Sequence, residues 1–296
     1  MKNLIPKVLI ATPVSERHKH LLDEWLKSLD SLDYENIEVC LVDTTPDIDE
    51  YYKLLKTKKV KGKKIKVFRY AWNYKKWMAV QWMAFAREKI RKYFLDNDFD
   101  FLMWLDDDIF LPKWGIQRLL SYNKDNVGFY IHVYFEPETK PCLLKSGEII
   151  MGKGLDYYLW EEIDAYKDFV KRFNEGTLNE YEKNLIPFII KDTFHPQLFK
   201  TYGVNLGCLM VKREVIEQIP FRTHPTFIYG EDLWYFAEAN EKKFEFWVDT
   251  NYRCVHKNTE WTSLVEKGPK KQGGFTLAFG PTDAEKLVFI QRKQDG

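Results

Sequence analysis

Four short apolar runs in the first third of the chain alternate with stretches of helical periodicity. The runs are "KVLIAT" (7–12), "IEVCLV" (37–42), "KIKVFRY" (64–70) and "FDFLMWL" (99–105). Leu21, Leu22, Trp25, Leu26 and Leu29 recur at helical spacing after the first run. A charged helical segment covers about 47–57, and a third helical pattern runs from Trp77 to Phe94. Strand, helix, strand in this order predicts a mostly parallel sheet with right-handed crossovers. Such sheets bind ligands outside the carboxyl ends of their strands. The chemistry should therefore lie where these runs stop.

Polar residues stand at those stops: Thr12 and Pro13, Asp43, Arg69 with Asn73 just beyond, and Asp106, Asp107 and Asp108. The three aspartates follow a strand of large apolar side chains, and like charges so close require a cation, a helix cap or water. In an extended chain Asp106 and Asp108 share a side and Asp107 turns away. Paired carboxylates of this kind suit Mg2+ or Mn2+, which take further oxygens from substrate phosphates. The plain alternative is a helix cap or surface turn after a strand. No Gly-rich GxGxxG follows the first strand, so a dinucleotide site loses its main support. A net charge of +1 argues against a general nucleic-acid binder. The basic "KTKKVKGKK" (56–64) is read as a solvated turn between strands.

The middle of the chain has a different character. "GLDYYLWEEIDAYKDFVKRF" (154–173) predicts an amphipathic helix, within an insertion over about 137–200. "GVNLGCLMV" (203–211) is a strand with two glycines, and "KREVIEQI" is a short helix stopped by Pro220. "THPTFIYGEDLWYFAEAN" leads from a loop into a helix, and "FEFWVDTNYRCVH" (244–256) is the last strand. Tyr202, Tyr229, Trp234 and Trp261 gather near this end; packing is the default for each, and stacking on a sugar the alternative. "EKGPKKQGGF" (266–275) is a Gly- and Lys-rich loop, read as a lid or a plain tail.

Cys40, Cys142, Cys208 and Cys254 show no CxxC spacing, so a zinc knuckle is not expected and the thiols are read as reduced. No window suits a membrane span, and the N-terminal apolar run is too short for a signal peptide. The expected location is the cytoplasm, with peripheral membrane attachment left open.

Taken together and in order, these motifs resemble the GT-A glycosyltransferases, family 2 in particular. "FLMWLDDDIFLP" is similar to the family's Asp-X-Asp segment, and "VLIATPVSER" to its first strand and base-lining loop. "IEVCLVDTT" resembles its second strand, and "FRYAWNYKKWMAVQWMAFA" the segment bearing an asparagine, here Asn73. "GVNLGCLMVKREVI" resembles the strand and helix before the acceptor site, and "YGEDLWYFAEA" the Glu-Asp motif. Two departures stand out: Asp43-Thr44-Thr45-Pro46 replaces Asp-Asp-Gly-Ser, and Tyr74 replaces a glycine.

The resemblance implies a GT-A, Rossmann-like three-layer α/β/α fold with a mostly parallel sheet and a helical insertion. It implies a nucleotide-sugar half over 1–110, an acceptor half over 111–260 and a tail over 261–296. The donor, a UDP- or GDP-linked sugar, would meet Thr12, Pro13, Glu16, Asp43, Asn73, Asp106 and Asp107. Mn2+ or Mg2+ would sit on Asp106, Asp108 and His256. Asp232 would be the base that takes the acceptor's proton, with Glu231 as substitute if Asp232 only caps its helix. Direct displacement with inversion is expected. Lys75, Lys76, Arg69, Arg253 and Lys257 lie near the edge where a diphosphate needs a cation, whereas His132, His195 and His224 are read as structural. The acceptor, whether glycan, lipid, protein or small molecule, is not encoded in any motif. The competing readings are a Mg-dependent nucleotidyltransferase, weakened by the lack of glycine in "ATPVSERHKH", and a silent sugar- or nucleotide-binding protein. A metal-dependent nuclease is weakened by the near-neutral charge.

Overall fold

The computed structural model describes residues 5–45, 49–69, 79–131, 140–143, 149–152, 157–158, 171–172, 175–177, 198–222 and 231–257. An eight-stranded sheet organises them. Its strands are β1 (Val8–Val14), β2 (Ile37–Asp43), β3 (Lys66–Arg69), β4 (Phe101–Leu105), β5 (Asn126–Tyr130), β6 (Leu198–Thr201), β7 (Cys208–Lys212) and β8 (Phe246–Arg253). The order across the sheet is β6-β8-β5-β7-β4-β1-β2-β3. The strands β4, β1, β2 and β3 pair in parallel, as β5 does with β8. Only β6 and β7 run against the rest. The result is a mixed, mostly parallel sheet in a Rossmann-like α/β fold.

Both faces of the sheet are covered, which explains why its strands read as continuous apolar runs rather than alternating ones. Helices α1 (Lys19–Asp30) and α2 (Asp49–Thr57) bury Trp25, Leu29, Tyr51 and Leu55 against Val8, Ile10, Val39 and Leu41. Helix α4 (Gly115–Ser121) adds Ile116 and Leu119 to that layer. On the other face, α3 (Ala79–Leu95) contributes Ala86, Ile90 and Phe94. Helices α5 (Arg213–Gln218) and α6 (Glu231–Glu241) bring Val215, Ile216, Tyr235 and Phe236 onto Leu9, Ala11, Leu102 and Trp104. Successive strand residues thus feed opposite cores, as the period of two requires.

Several boundaries differ from expectation. β1 runs through Pro13 to Val14, and β4 starts at Phe101. The 203–211 run is two pieces, because Gly203–Val204 pairs antiparallel with Tyr157–Tyr158 and β7 begins only at Cys208. That pairing corrects the start of the helix expected over 154–173: Tyr157–Tyr158 is strand, where two aromatic residues find a partner edge. The last strand likewise breaks at Cys254, and Val255–His256 turns back to pair with Ile109–Phe110. The basic segment forms a hairpin, Lys59–Val60 with Lys63–Lys64, turning at Lys61 and Gly62 with φ of 50° and 74°. Of the rest of the 154–173 helix only 171–172 are described, and they are helical; most of the 137–200 insertion, the tail from 258, Asn73, Lys75, Lys76, Tyr229, Trp261, His132, His195 and His224 lie outside the described residues. Among those described, no helix is long and apolar enough to cross a membrane.

Candidate functional site

Strand register brings the polar stops together. Val14 is level with Asp43, and Asp43 with Arg69. On the other side of β1, Ala11 is level with Trp104, two residues before Asp106. The carboxyl ends of β1, β2, β3 and β4 therefore share one edge, and the three aspartates stand on it.

The aspartates are not in extended chain. β4 ends at Leu105, and the Ile109 amide donates to the Asp106 carbonyl at 3.0 Å, closing a four-residue turn. A turn splays successive side chains, and each carboxylate meets its own basic partner. Asp106 Oδ1 accepts from the Thr12 hydroxyl at 2.9 Å, with Arg87 Nη2 3.7 Å away. Asp107 Oδ1 lies 2.6 Å from His18 Nδ1. Asp108 Oδ2 lies 3.2 Å from His256 Nε2, and the Lys257 amide donates to the Asp108 carbonyl at 2.9 Å.

Burial differs as much as pairing. Asp107 and Asp108 are buried, whereas the Asp106 side chain keeps 34% of its exposure. Burial pushes the Asp107 carboxyl up to about 6, against the hydrogen bond from His18. Burial also lowers the affinity of His18 for its proton, but Asp107 and the two neighbouring aspartates outweigh that and hold it up. For Asp108 the order reverses: burial raises it, yet His256 brings it below the usual carboxylate range. Asp107 therefore turns inward to anchor His18, a residue that no sequence motif singled out. The signal was only its place four residues after β1, on the ligand edge.

The turn depends on a glycine. Asp106 N–H donates to the Gly207 carbonyl at 3.0 Å. A Cβ on Gly207 would lie 2.6 Å from Ile109 Cδ1, 2.9 Å from Asn205 Oδ1 and 3.0 Å from Asp106 Oδ2. Only glycine lets the start of β7 pass this close to the aspartates.

Glu231 and Asp232 open α6, in its positive first turn. Glu231 is buried and accepts from Arg87 Nε at 3.2 Å, whereas Asp232 is half-buried. Burial drives the Glu231 carboxyl up to about 7, with Arg87 pulling the other way. Arg87, on α3, is itself buried, lies over the Trp104 ring at 4.9 Å, and has no acceptor for Nη1 among the described residues. It too escaped sequence reading, being one basic residue on a long helix.

On the β2 side, Asp43 is fully buried. Its Oδ1 accepts from the Thr45 amide at 2.9 Å, and its Oδ2 has no partner among the described residues. Burial raises its carboxyl, opposed by Thr45 and Arg69. The Glu16 amide donates to Thr45 Oγ1 at 2.9 Å, tying the loop after β1 to the end of β2. Thr12 is buried, and Pro13 lies inside β1. Of the candidate cations, Arg69 pairs with Asp49 and Lys257 with Glu24. Tyr202 is core, and Trp234 lies beside Arg222 at 5.4 Å. Cys40, Cys208 and Cys254 are buried free thiols, with Cys208 and Cys254 Sγ atoms 3.5 Å apart.

Among the described residues, no group of three or more His, Cys, Asp or Glu side chains is arranged to hold a metal ion. A pair does have suitable spacing. Donors at adjacent vertices of an octahedral ion with bonds of about 2.1 Å stand about 3 Å apart, and Asp108 Oδ2 to His256 Nε2 is 3.2 Å.

No family model matches the chain, and no curated protein matches it. Among solved structures, the crystal structure of A197 from STIV is similar over 84% of this chain and 85% of that one, at 15% identity and a TM-score of 0.40. A similarity at that level bears on neither substrate nor chemistry.

Proposed function

We propose that the protein is a glycosyltransferase of GT-A type, moving a sugar from a UDP- or GDP-linked donor to an acceptor hydroxyl. One observation carries the proposal. Carboxylates from three distant segments, Asp43, the Asp106–Asp108 turn and the Glu231–Asp232 pair, gather at or beside one sheet edge, where Thr45, Thr12 and Arg87 hold Asp43, Asp106 and Glu231. The unpartnered, buried Asp43 Oδ2 suits an N–H donor such as a nucleobase imide or amide. Asp108 and His256 would hold Mn2+ or Mg2+, with Asp106 beside them. Two protein donors leave the remaining positions for diphosphate oxygens and water. When bound, such an ion supplies Lewis-acid stabilisation of the departing diphosphate.

The chain's own residues would do the rest. Asp232 is only half-buried, where Glu231 is buried, and we assign to it the proton of the acceptor hydroxyl. Glu231, buried and held by Arg87, is given a structural part instead. A base on the face opposite the leaving group gives direct displacement with inversion. The free thiols fit a reducing compartment, the cytoplasm.

The test is incubation with Mn2+ or Mg2+ and a panel of sugar nucleotides, measuring nucleotide binding and release. Binding of at least one, with metal-dependent release, is expected; no binding to any of them ends the proposal. Asp232→Asn should lose turnover about 100-fold or more while keeping donor affinity. Unchanged turnover would move the base elsewhere.

A further inference from the structure

Arg87 has no assigned role in the chemistry above, yet it occupies the centre of the site. It is 3% exposed, and a guanidinium so placed must be compensated nearby. Two carboxylates from different parts of the chain do this. Nε donates to Glu231 Oε1 at 3.2 Å and Nη2 faces Asp106 Oδ1 at 3.7 Å. The ring of Trp104, two residues before Asp106, lies under the guanidinium at 4.9 Å and limits its plane. One rigid fork thus spans from the aspartate turn after β4 to the first residue of α6.

We infer that Arg87 is a positioning residue: by holding Glu231 and Asp106 together it sets Asp232 at a fixed place relative to the donor. This rests on the glycosyltransferase proposal. Asp232 follows Glu231 directly, in the first turn of α6. Arg87 ties that first turn to the aspartate turn through Glu231 Oε1 at 3.2 Å and Asp106 Oδ1 at 3.7 Å. Catalytic groups displaced by about 1 Å lose about 100-fold in rate. Arg87 needs no contact with the reacting atoms to have that effect. A lysine could not replace it, because an ammonium is a single point and cannot face two carboxylates with separate nitrogens.

The experiment is a double-mutant cycle on the full chain, using Arg87→Met, Glu231→Gln and the pair. Turnover is normalised to sites titrated calorimetrically with UDP or GDP, which removes any misfolded fraction. The expected result for Arg87→Met is a kcat lower by about 100-fold, with donor KM within about threefold. Adding Glu231→Gln to it should cost little more, because both changes cut the same link. Arg87→Lys should recover only part of the rate. If Arg87→Met does not fold, Arg87→Lys and the double variant, which buries no unpaired Glu231 charge, carry the comparison. A kcat equal to wild type in the Arg87 variants, additive effects, or KM rising in step with the loss would overturn the inference. Wild-type protein that turns over no sugar nucleotide would end the glycosyltransferase proposal and this inference with it. Wild-type turnover with indifferent Arg87 variants would end the inference alone.

Discussion

At the scale of single residues, environment rather than residue type decides what each acid does. Asp106, Asp107 and Asp108 are identical and consecutive, yet they face Thr12 with Arg87, His18, and His256 respectively. Asp107 is the most committed to structure, so Asp107→Asn should destabilise by about 1–3 kcal/mol by weakening a buried charged hydrogen bond, measurable by urea unfolding. Gly207→Ala adds a methyl that meets Ile109, Asn205 and the Asp106 carboxylate. It should cost about 1–3 kcal/mol and weaken donor binding as well, because relief requires the aspartate turn to move. Wild-type donor affinity in Gly207→Ala would show that the turn shifts freely. Glu231 offers a pH signature. Its folded carboxyl is raised from 4.5 to about 7, chiefly by burial. A carboxyl raised on folding contributes stability that is whole below the unfolded value and is lost as pH rises through the folded one. Wild-type stability should therefore fall by a few kcal/mol between about pH 4.5 and pH 7 relative to Glu231→Gln. Parallel curves for the two proteins would mean that Glu231 is solvated.

At the scale of elements, the parallel half of the sheet was legible because β1, β2 and β4 are buried on both faces and alternate with amphipathic helices. Trp25 and Tyr51 pack on one face and Phe94 and Tyr235 on the other. Trp25→Ala should accordingly cost about 3–5 kcal/mol and lower the unfolding midpoint in urea. What the sequence concealed has a common physical cause. Tyr157–Tyr158, Gly203–Val204 and Val255–His256 are two-residue strands, too short to show a period of two. Their partners are supplied by distant chain, so only the tertiary fold makes them strands. The aspartate turn belongs to the same group. Expecting extended backbone past Leu105 put Asp106 and Asp108 on one side, whereas one backbone hydrogen bond to Asp106 sends the three side chains to three partners. His18 and Arg87 were invisible because an isolated basic residue acquires meaning only from the carboxylate it meets.

At the scale of the whole molecule, the last described residues return to the site. Val255 and His256 pair with Phe110 and Ile109, the Lys257 amide bonds to the Asp108 carbonyl, and the Lys257 side chain reaches Glu24 on α1. The aspartate turn is therefore clamped by chain from about 150 positions downstream, and His256 is presented by that clamp rather than by a loop of its own. This makes a prediction that separates cation binding from simple folding. A ligand that binds only the native state stabilises it by about 2.7 kcal/mol at a hundredfold excess over its Kd. Mn2+ together with UDP or GDP should raise the unfolding temperature of the wild-type protein by several degrees, and a chelator should abolish that part of the rise which needs Mn2+. Asp108→Ala and His256→Ala should each remove the Mn2+-dependent part while leaving a backbone clamp built from amides and carbonyls. Asp107→Asn starts from a lower unfolding temperature because it weakens a structural pair, but it keeps the full Mn2+ increment because its carboxylate faces His18. An increment that survives in Asp108→Ala and vanishes in Asp107→Asn would exchange the roles of the two aspartates. An increment retained in all three variants would place the cation on Asp106 or away from this turn altogether.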